Sequence, residues 1–230
     1  MQKNRGGYDN FTIVIQKYDI IKKALSIRLN RGILMKSYLE NKIVCYIKKY
    51  KCTITGDDEE VLRYGIQIYY FNISKLLILF TVSIILNIFS KTCIAFILVV
   101  ALKRFAYGFH ADTFWSCLVI TFINIFGIVY LSELFLNSLI RIALAVISLI
   151  LFALFAPADT EERPIVGSKK RLRLKIQIIS VSILYFALSF FTNEVLSNML
   201  VLSLVFIGFN TCPVLYILFK KEYKNYEKFI

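Results

Sequence analysis

Lys103-Arg104-Phe105-Ala106-Tyr107-Gly108-Phe109-His110-Ala111-Asp112-Thr113-Phe114-Trp115-Ser116-Cys117 is a short polar interruption between two apolar runs. The run before it, residues 92–102, is too short to cross a bilayer unless it borrows from 105–109; the run after it, 117–135, is long enough. Outward from there, further apolar blocks lie at 72–89, 139–156, 176–191 and 196–219. They come at membrane-spanning length rather than at the spacing of a helix with one apolar face. With 58% hydrophobic residues and a mean hydropathy of +0.66, the chain is too apolar for an ordinary soluble domain. The expected fold is all-α: a polytopic membrane protein of about six transmembrane helices. Pro213 is expected to kink the last block.

Residues 1–34 are mixed and basic and read as an N-terminal extension of unknown role, because Met35 is a candidate internal start. Residues 35–230 read as one integral membrane domain. Within 36–51, Leu39, Ile43, Tyr46, Ile47 and Tyr50 follow helical spacing among lysines, which describes an amphipathic helix in the membrane interface. A helix packed on the protein's own loops accounts for the same pattern. Thr55-Gly56-Asp57-Asp58-Glu59-Glu60 reads as a turn and a helix start, its acidic residues at the positive end of the dipole. That helix is expected to run directly into the first span. No cleavable signal peptide is expected, since the chain has no apolar core before about residue 66.

The net charge of +13 is explained by position. With the N-terminus inside and six crossings, the inner side holds 13 basic residues in 1–68, two at 103–104, six in 163–175 and four in 220–228. That is 25 of the 28, and only Lys91 and Arg141 fall outside, with Lys75 inside a span. The asymmetry puts both termini, the 110–117 break and the loop 157–175 on the cytoplasmic side of the membrane. Contact with anionic membrane lipids suits these flanking cations better than nucleic acid does, and no nucleic-acid motif stands out.

The break carries the chemistry. His110 is the only histidine, and Cys117 follows seven residues later. A histidine can take the proton of a thiol, and the thiolate is the nucleophile. On a straight helix, positions seven apart are ~10 Å apart along the axis. A proton-transfer pair must come within about 3–3.5 Å. If the two work together, the segment cannot be one straight helix, and Gly108 and Asp112-Thr113 are where it is expected to bend. Taken alone, His110 is as well explained as a hydrogen-bonded interfacial histidine, and a lone cysteine as a small apolar filler. Asp112 and Asp159 are the candidates for an acid that orients the imidazole; capping or turn formation is the simpler account of either one singly.

Cys45, Cys52, Cys93 and Cys212 read as packing residues, Cys93 and Cys212 being expected far from the histidine. Scattered cysteines without CxxC spacing argue against a disulfide framework or a zinc site, and no cofactor is expected. The run Lys169-Lys170-Arg171-Leu172-Arg173-Leu174-Lys175 reads as a cytoplasmic anchor that also suits an acidic peptide. Arg104 is a second candidate for a substrate carboxylate, with headgroup contact as the simpler account.

Arg104 to Ala111 with Cys117 resembles the catalytic segment of the accessory gene regulator B (AgrB) family. Ala156-Pro157-Ala158-Asp159-Thr160 with Pro164-Ile165 and the following basic run resembles that family's second signature, and Val61-Leu62-Arg63-Tyr64-Gly65 its entry to the first span. The likeness runs from Met35 to the C-terminus. It implies a membrane cysteine endopeptidase of Gram-positive quorum sensing, with Cys117 as nucleophile and His110 as base. The implied substrate is an AgrD-like autoinducer propeptide with an amphipathic leader, a central cysteine or serine, and an acidic tail. Loss of the tail leaves an acyl-thioester that the peptide's own nucleophile captures as a thiolactone or lactone ring. A homodimer is also implied. The competing class is a non-enzymatic transporter or export scaffold, for which an ATPase in the neighbouring genes would speak.

Overall fold

The computed structural model describes residues 41–49, 56–109, 113–134, 137–160, 165–223 and 225. Helix α1 covers residues 41–49, followed by α2 (Gly56–Ile85), α3 (Phe89–Ala106), α4 (Phe114–Leu131), α5 (Ser138–Phe155), α6 (Ser168–Leu188), α7 (Glu194–Thr211) and α8 (Pro213–Leu218). Among the described residues there is no strand, and an isolated bridge joins Tyr107 and Ala158. The all-helical expectation therefore holds. The chain divides into two units at Lys75/Leu76.

In the first unit, α1 lies within the expected amphipathic segment, and the rest of that segment is outside the described residues. Ile43 and Tyr46 are exposed, while Val44 is the buried one. Lys48 and Arg63 both pair with Glu59, and Arg63 Nη1 donates to Asn41 Oδ1 at 2.8 Å. The start of α2 is as expected: Gly56 opens it and acidic residues fill its first turns. Its 30 residues make one continuous helix, about 45 Å long.

The second unit is organised around α7, which packs against α3, α4, α5 and α6. Twelve of its 18 residues are buried, from Ser197 to Thr211, so it is enclosed all round, unlike a helix with a single apolar stripe. Close approach is bought with glycine at one crossing: a Cβ on Gly127 of α4 would lie 2.7 Å from the Phe206 ring of α7. Buried serines turn inward on their own helices, Ser203 to the Met199 carbonyl and Ser182 to that of Ile178, which satisfies them without water.

The outer helices face the other way. Leu139, Val146, Ile147, Ile150 and Leu154 of α5 are exposed, far more apolar surface than a soluble protein presents. Among the described residues, four helices are long and apolar enough to cross a membrane: the part of α2 from Asp58 to Ile85, α4, α5 and α7. This marks a membrane protein. Helices α3 and α6 have their charges gathered near the ends, Lys103 and Arg104 in the last turn of α3 and five cations in the first eight residues of α6.

Two expected boundaries are corrected. The first block does not run to Phe89: α2 stops at Ile85, Asn87 takes a left-handed turn (φ 56°), and Phe89 opens α3. The last block is not one kinked helix. The chain breaks at Cys212, and Pro213 takes the first position of α8, where its missing N–H costs nothing and its φ suits a helix start.

Candidate active site

The expected break between Phe105 and Cys117 is present. Helix α3 ends at Ala106, the Tyr107 N–H closing the last turn on the Lys103 carbonyl at 3.1 Å. Tyr107 then takes φ 58° and Gly108 φ 101°. The first is a backbone region sparsely used by residues with a Cβ and held only where surroundings enforce it.

The enforcement is visible in the backbone hydrogen bonds. Gly108 N–H donates to the Ala158 carbonyl at 2.9 Å, and Ala158 N–H donates to the Ala106 carbonyl at 3.1 Å, making the bridge. Phe109 N–H donates to the Asn210 carbonyl at 2.9 Å. Residues 107–109 thus form a strap pinned on one side to the turn after α5 and on the other to the end of α7. A Cβ at Gly108 would meet the Asn210 carbonyl oxygen at 3.0 Å, so glycine is required there by both conformation and space. The two sequence motifs, separated by about fifty residues, are bonded neighbours at one end of the bundle.

Cys117 sits in the first turns of α4. Thr113 caps that helix, its Oγ1 accepting from Ser116 N–H at 3.2 Å, and its carbonyl accepts Cys117 N–H at 3.1 Å. The Thr121 hydroxyl donates to the Cys117 carbonyl at 2.8 Å. Half-buried Cys117 packs against a small cluster of Phe109, Ala158 and Tyr216. The Phe109 ring meets Tyr216 edge-on at 5.7 Å and lies 4.8 Å from Phe219. The thiol is therefore beside both the strap and the second motif.

Asp159 is 1% exposed. The buried Tyr216 hydroxyl donates to its backbone carbonyl at 3.1 Å. Burial first, and then the nearby Asp159 charge, push the Tyr216 hydroxyl above the usual phenol range, so it remains a neutral donor and keeps this bond. His110 and Asp112 lie outside the described residues.

Arg104 is exposed in the last turn of α3 and borders a groove of about 620 Å³ with Phe96, Ile97, Val100, Phe105 and Gln177. Lys169, Lys170 and Arg171 fill the first turn of α6. Cations belong energetically at the other end of a helix, so the dipole of α6 does not favour these three. Cys45, Cys93 and Cys212 are free thiols. The C-terminal end of α7 is not remote from the strap as expected, since Asn210, two residues before Cys212, holds Phe109. Among the described residues, no three His, Cys, Asp or Glu side chains gather as metal ligands.

Sequence reasoning missed Asn124, Asn210 and Tyr216. The signal for the first two was available: each is an amide within an apolar run, where an unpaired polar group is costly.

A family model described as accessory gene regulator B matches residues 40–211. A putative AgrB-like protein of Clostridium acetobutylicum is 33% identical over 171 residues, covering 73% of this chain and 81% of that protein. Accessory gene regulator protein B of Staphylococcus aureus is 29% identical over 185 residues, 79% of this chain and 97% of that one. A putative AgrB-like protein of Listeria innocua is 28% identical over 179 residues, 75% of this chain and 87% of the relative. No solved structure matches the chain.

Proposed function

The chain belongs to the accessory gene regulator B family, which acts in quorum sensing, and from that premise we propose that it is a membrane cysteine endopeptidase. It removes the C-terminal tail of an autoinducer propeptide through an acyl-thioester and so allows a thiolactone or lactone ring to close. The observation that carries this reading is the junction of the two motifs beside Cys117: Gly108 and Ala158 are hydrogen-bonded, and the thiol packs on Phe109 and Ala158.

His110 takes the proton of Cys117, and the sulfur attacks the scissile carbonyl. A negative charge on that sulfur lies near the positive end of α4. As the tetrahedral adduct collapses, the imidazolium protonates the departing amine and the acidic tail leaves. The acyl group now rests on Cys117 as a thioester. The propeptide's own thiol or hydroxyl then attacks it, the ring closes, and Cys117 is regenerated. Thioester exchange conserves acyl-transfer energy, so no ATP or cofactor enters, provided water is kept from the intermediate. The aromatic groups Phe105, Phe109, Phe114 and Trp115 along the segment suit that task.

Asp159, buried next to the strap, is the stronger candidate to orient the imidazole, with Asp112 the alternative. Lys169, Lys170 and Arg171, which the dipole of α6 does not favour, suit the acidic tail, and Arg104 a second carboxylate. Six crossings by α2 to α7, with both termini and the site on the cytoplasmic side, agree with the charge asymmetry and give a ribosomally made peptide access. Residues 35–230 form the peptidase domain, 1–34 its extension, and the working form is a homodimer.

The test is a cleavage assay in liposomes with a propeptide of the implied kind, carrying an amphipathic leader, a central cysteine or serine and an acidic tail. Wild type should release the tail, Cys117→Ala and His110→Ala should not while still inserting, and mass spectrometry should find the N-terminal product cyclised. Cleavage by Cys117→Ala would sink the nucleophile and return the transporter or scaffold reading.

A further inference from the structure

Asn124 in α4 and Asn210 near the end of α7 are asparagines buried within apolar runs. Asn210 Nδ2 donates to Asn124 Oδ1 at 2.8 Å, and Asn124 Nδ2 donates to the Ile120 carbonyl at 2.6 Å. The backbone carbonyl of the same Asn210 accepts Phe109 N–H at 2.9 Å. One residue thus holds the strap with its main chain and the cysteine-bearing helix with its side chain. Asn124 lies seven residues after Cys117, two turns further on nearly the same helix face.

The two ends of this connection are the two ends of the proposed dyad. Phe109 directly precedes His110 in the chain, and Ile120, whose carbonyl anchors Asn124, packs with Cys117 on the Phe109–Ala158–Tyr216 cluster. Buried Ser148, Ser182 and Ser203 bond instead to carbonyls of their own helices. The amide pair reaches across from α7 to α4, so it defines a register between them.

We infer that Asn210 and Asn124 are positioning residues, an amide clamp that sets the approach of His110 to Cys117 by fixing the strap to α4. This rests on the dyad reading. Proton transfer between imidazole and thiol depends on a few tenths of an ångström. A strap pinned only at Ala158 pivots about that bridge, and the second pin, at Asn210, removes the freedom. Loss of Asn210 leaves Asn124 Oδ1 without its donor, and loss of Asn124 leaves Asn210 Nδ2 without its acceptor in apolar surroundings; either one cuts the side-chain tie between α4 and the residue whose carbonyl holds Phe109.

The test uses full-length protein in liposomes with Cys45, Cys52, Cys93 and Cys212 changed to Ser, so that Cys117 is the one thiol. Its alkylation rate by iodoacetamide is measured against pH in this background and with His110→Ala, Asn124→Ala, Asn210→Ala and the double asparagine variant. The background curve is expected to show a limb near neutral pH that His110→Ala removes. Each asparagine variant should lose about tenfold of the rate on that limb. The double variant should lose no more than a single one, because one connection is being cut. A merely structural role lowers the melting temperature and leaves the shape of the curve alone. An unchanged His110-dependent limb in both asparagine variants overturns the clamp and spares the dyad. Identical curves for the background and His110→Ala overturn the dyad, and the clamp with it. If the alanine variants fail to insert, Asn124→Ser and Asn210→Gln carry the same expectation, since neither reproduces the pairing distance.

Discussion

The two ends of the helix bundle are both polar, yet they spend their hydrogen bonds differently. At the end opposite the strap, side chains tie helices and turns together. Arg141 Nη1 donates to the Ser197 hydroxyl at 2.7 Å, Ser197 donates to the Ser189 carbonyl, and Asn198 Nδ2 donates to the carbonyls of Ser132 and Leu134 at 3.0 Å. Lys91 pairs with Glu133 on the surface. At the strap end the main chain itself is the bonded object: Gly108, Phe109 and Ala158 all use backbone N–H groups between separate elements. The first arrangement closes turns and could be rebuilt with other side chains. The second holds irregular backbone in one conformation beside a thiol, which is what a reactive centre requires and a mere turn does not.

The sharpest way to break this contrast is Gly108→Ala. The new Cβ meets the Asn210 carbonyl oxygen at 3.0 Å in a backbone with φ 101°, a cost of about 1–2 kcal/mol from conformation alone. The strap must shift, and tail release should fall by about 100-fold or more while helix content by circular dichroism stays as in wild type. Activity within a few-fold of wild type would mean that the strap does not align the chemistry.

Next in size is the basic first turn of α6. Changing Lys169, Lys170 and Arg171 to Gln removes charge that opposes the helix dipole. KM for a propeptide with an acidic tail should increase roughly three- to tenfold, with most of its salt dependence lost. A fall in kcat at constant KM would assign these cations to something other than tail recognition.

Much of the fold was legible because the membrane makes hydropathy a strong signal. The apolar blocks, the long entry into α2 and the break before Cys117 follow from length, charge and the geometry of positions seven apart. The misreadings were at ends. Residues 85–89 are apolar apart from Asn87, and the left-handed turn at that residue divides them into two helices. Pro213 was read as a kink because apolar sequence continues on both sides of it, whereas it begins α8. Of the candidate site, both motifs were legible, and the structure brings them together beside Cys117. What sequence could not supply was their partner: Asn210 acts on Phe109 through a main-chain carbonyl, a group every residue carries, and so leaves no mark on residue type. Its side chain, an amide in an apolar helix, was the visible trace.

Asn198→Ala tests the other half of the comparison. Removing the Nδ2 donor leaves the Ser132 and Leu134 carbonyls without it, and stability should fall by about 1–3 kcal/mol. The iodoacetamide curve of Cys117 should keep its shape. A changed curve would show that the two ends are coupled through α7, which carries Asn198 near one end and Asn210 near the other.

The smallest effect belongs to Lys91→Ala. Both partners of the Lys91–Glu133 pair are nearly half exposed, 45% and 46%, so solvent screens their attraction and two long side chains must be ordered to make it. The expected change in stability is below about 0.5 kcal/mol and vanishes in high salt. The pair does join the start of α3 to the turn after α4 across 42 residues of chain, so a larger loss has a specific meaning. It would make this surface pair a structural closure of the α3–α4 hairpin whose other end is the strap. In that case tail release should fall together with stability, and the separation between a closing end and a reacting end would fail.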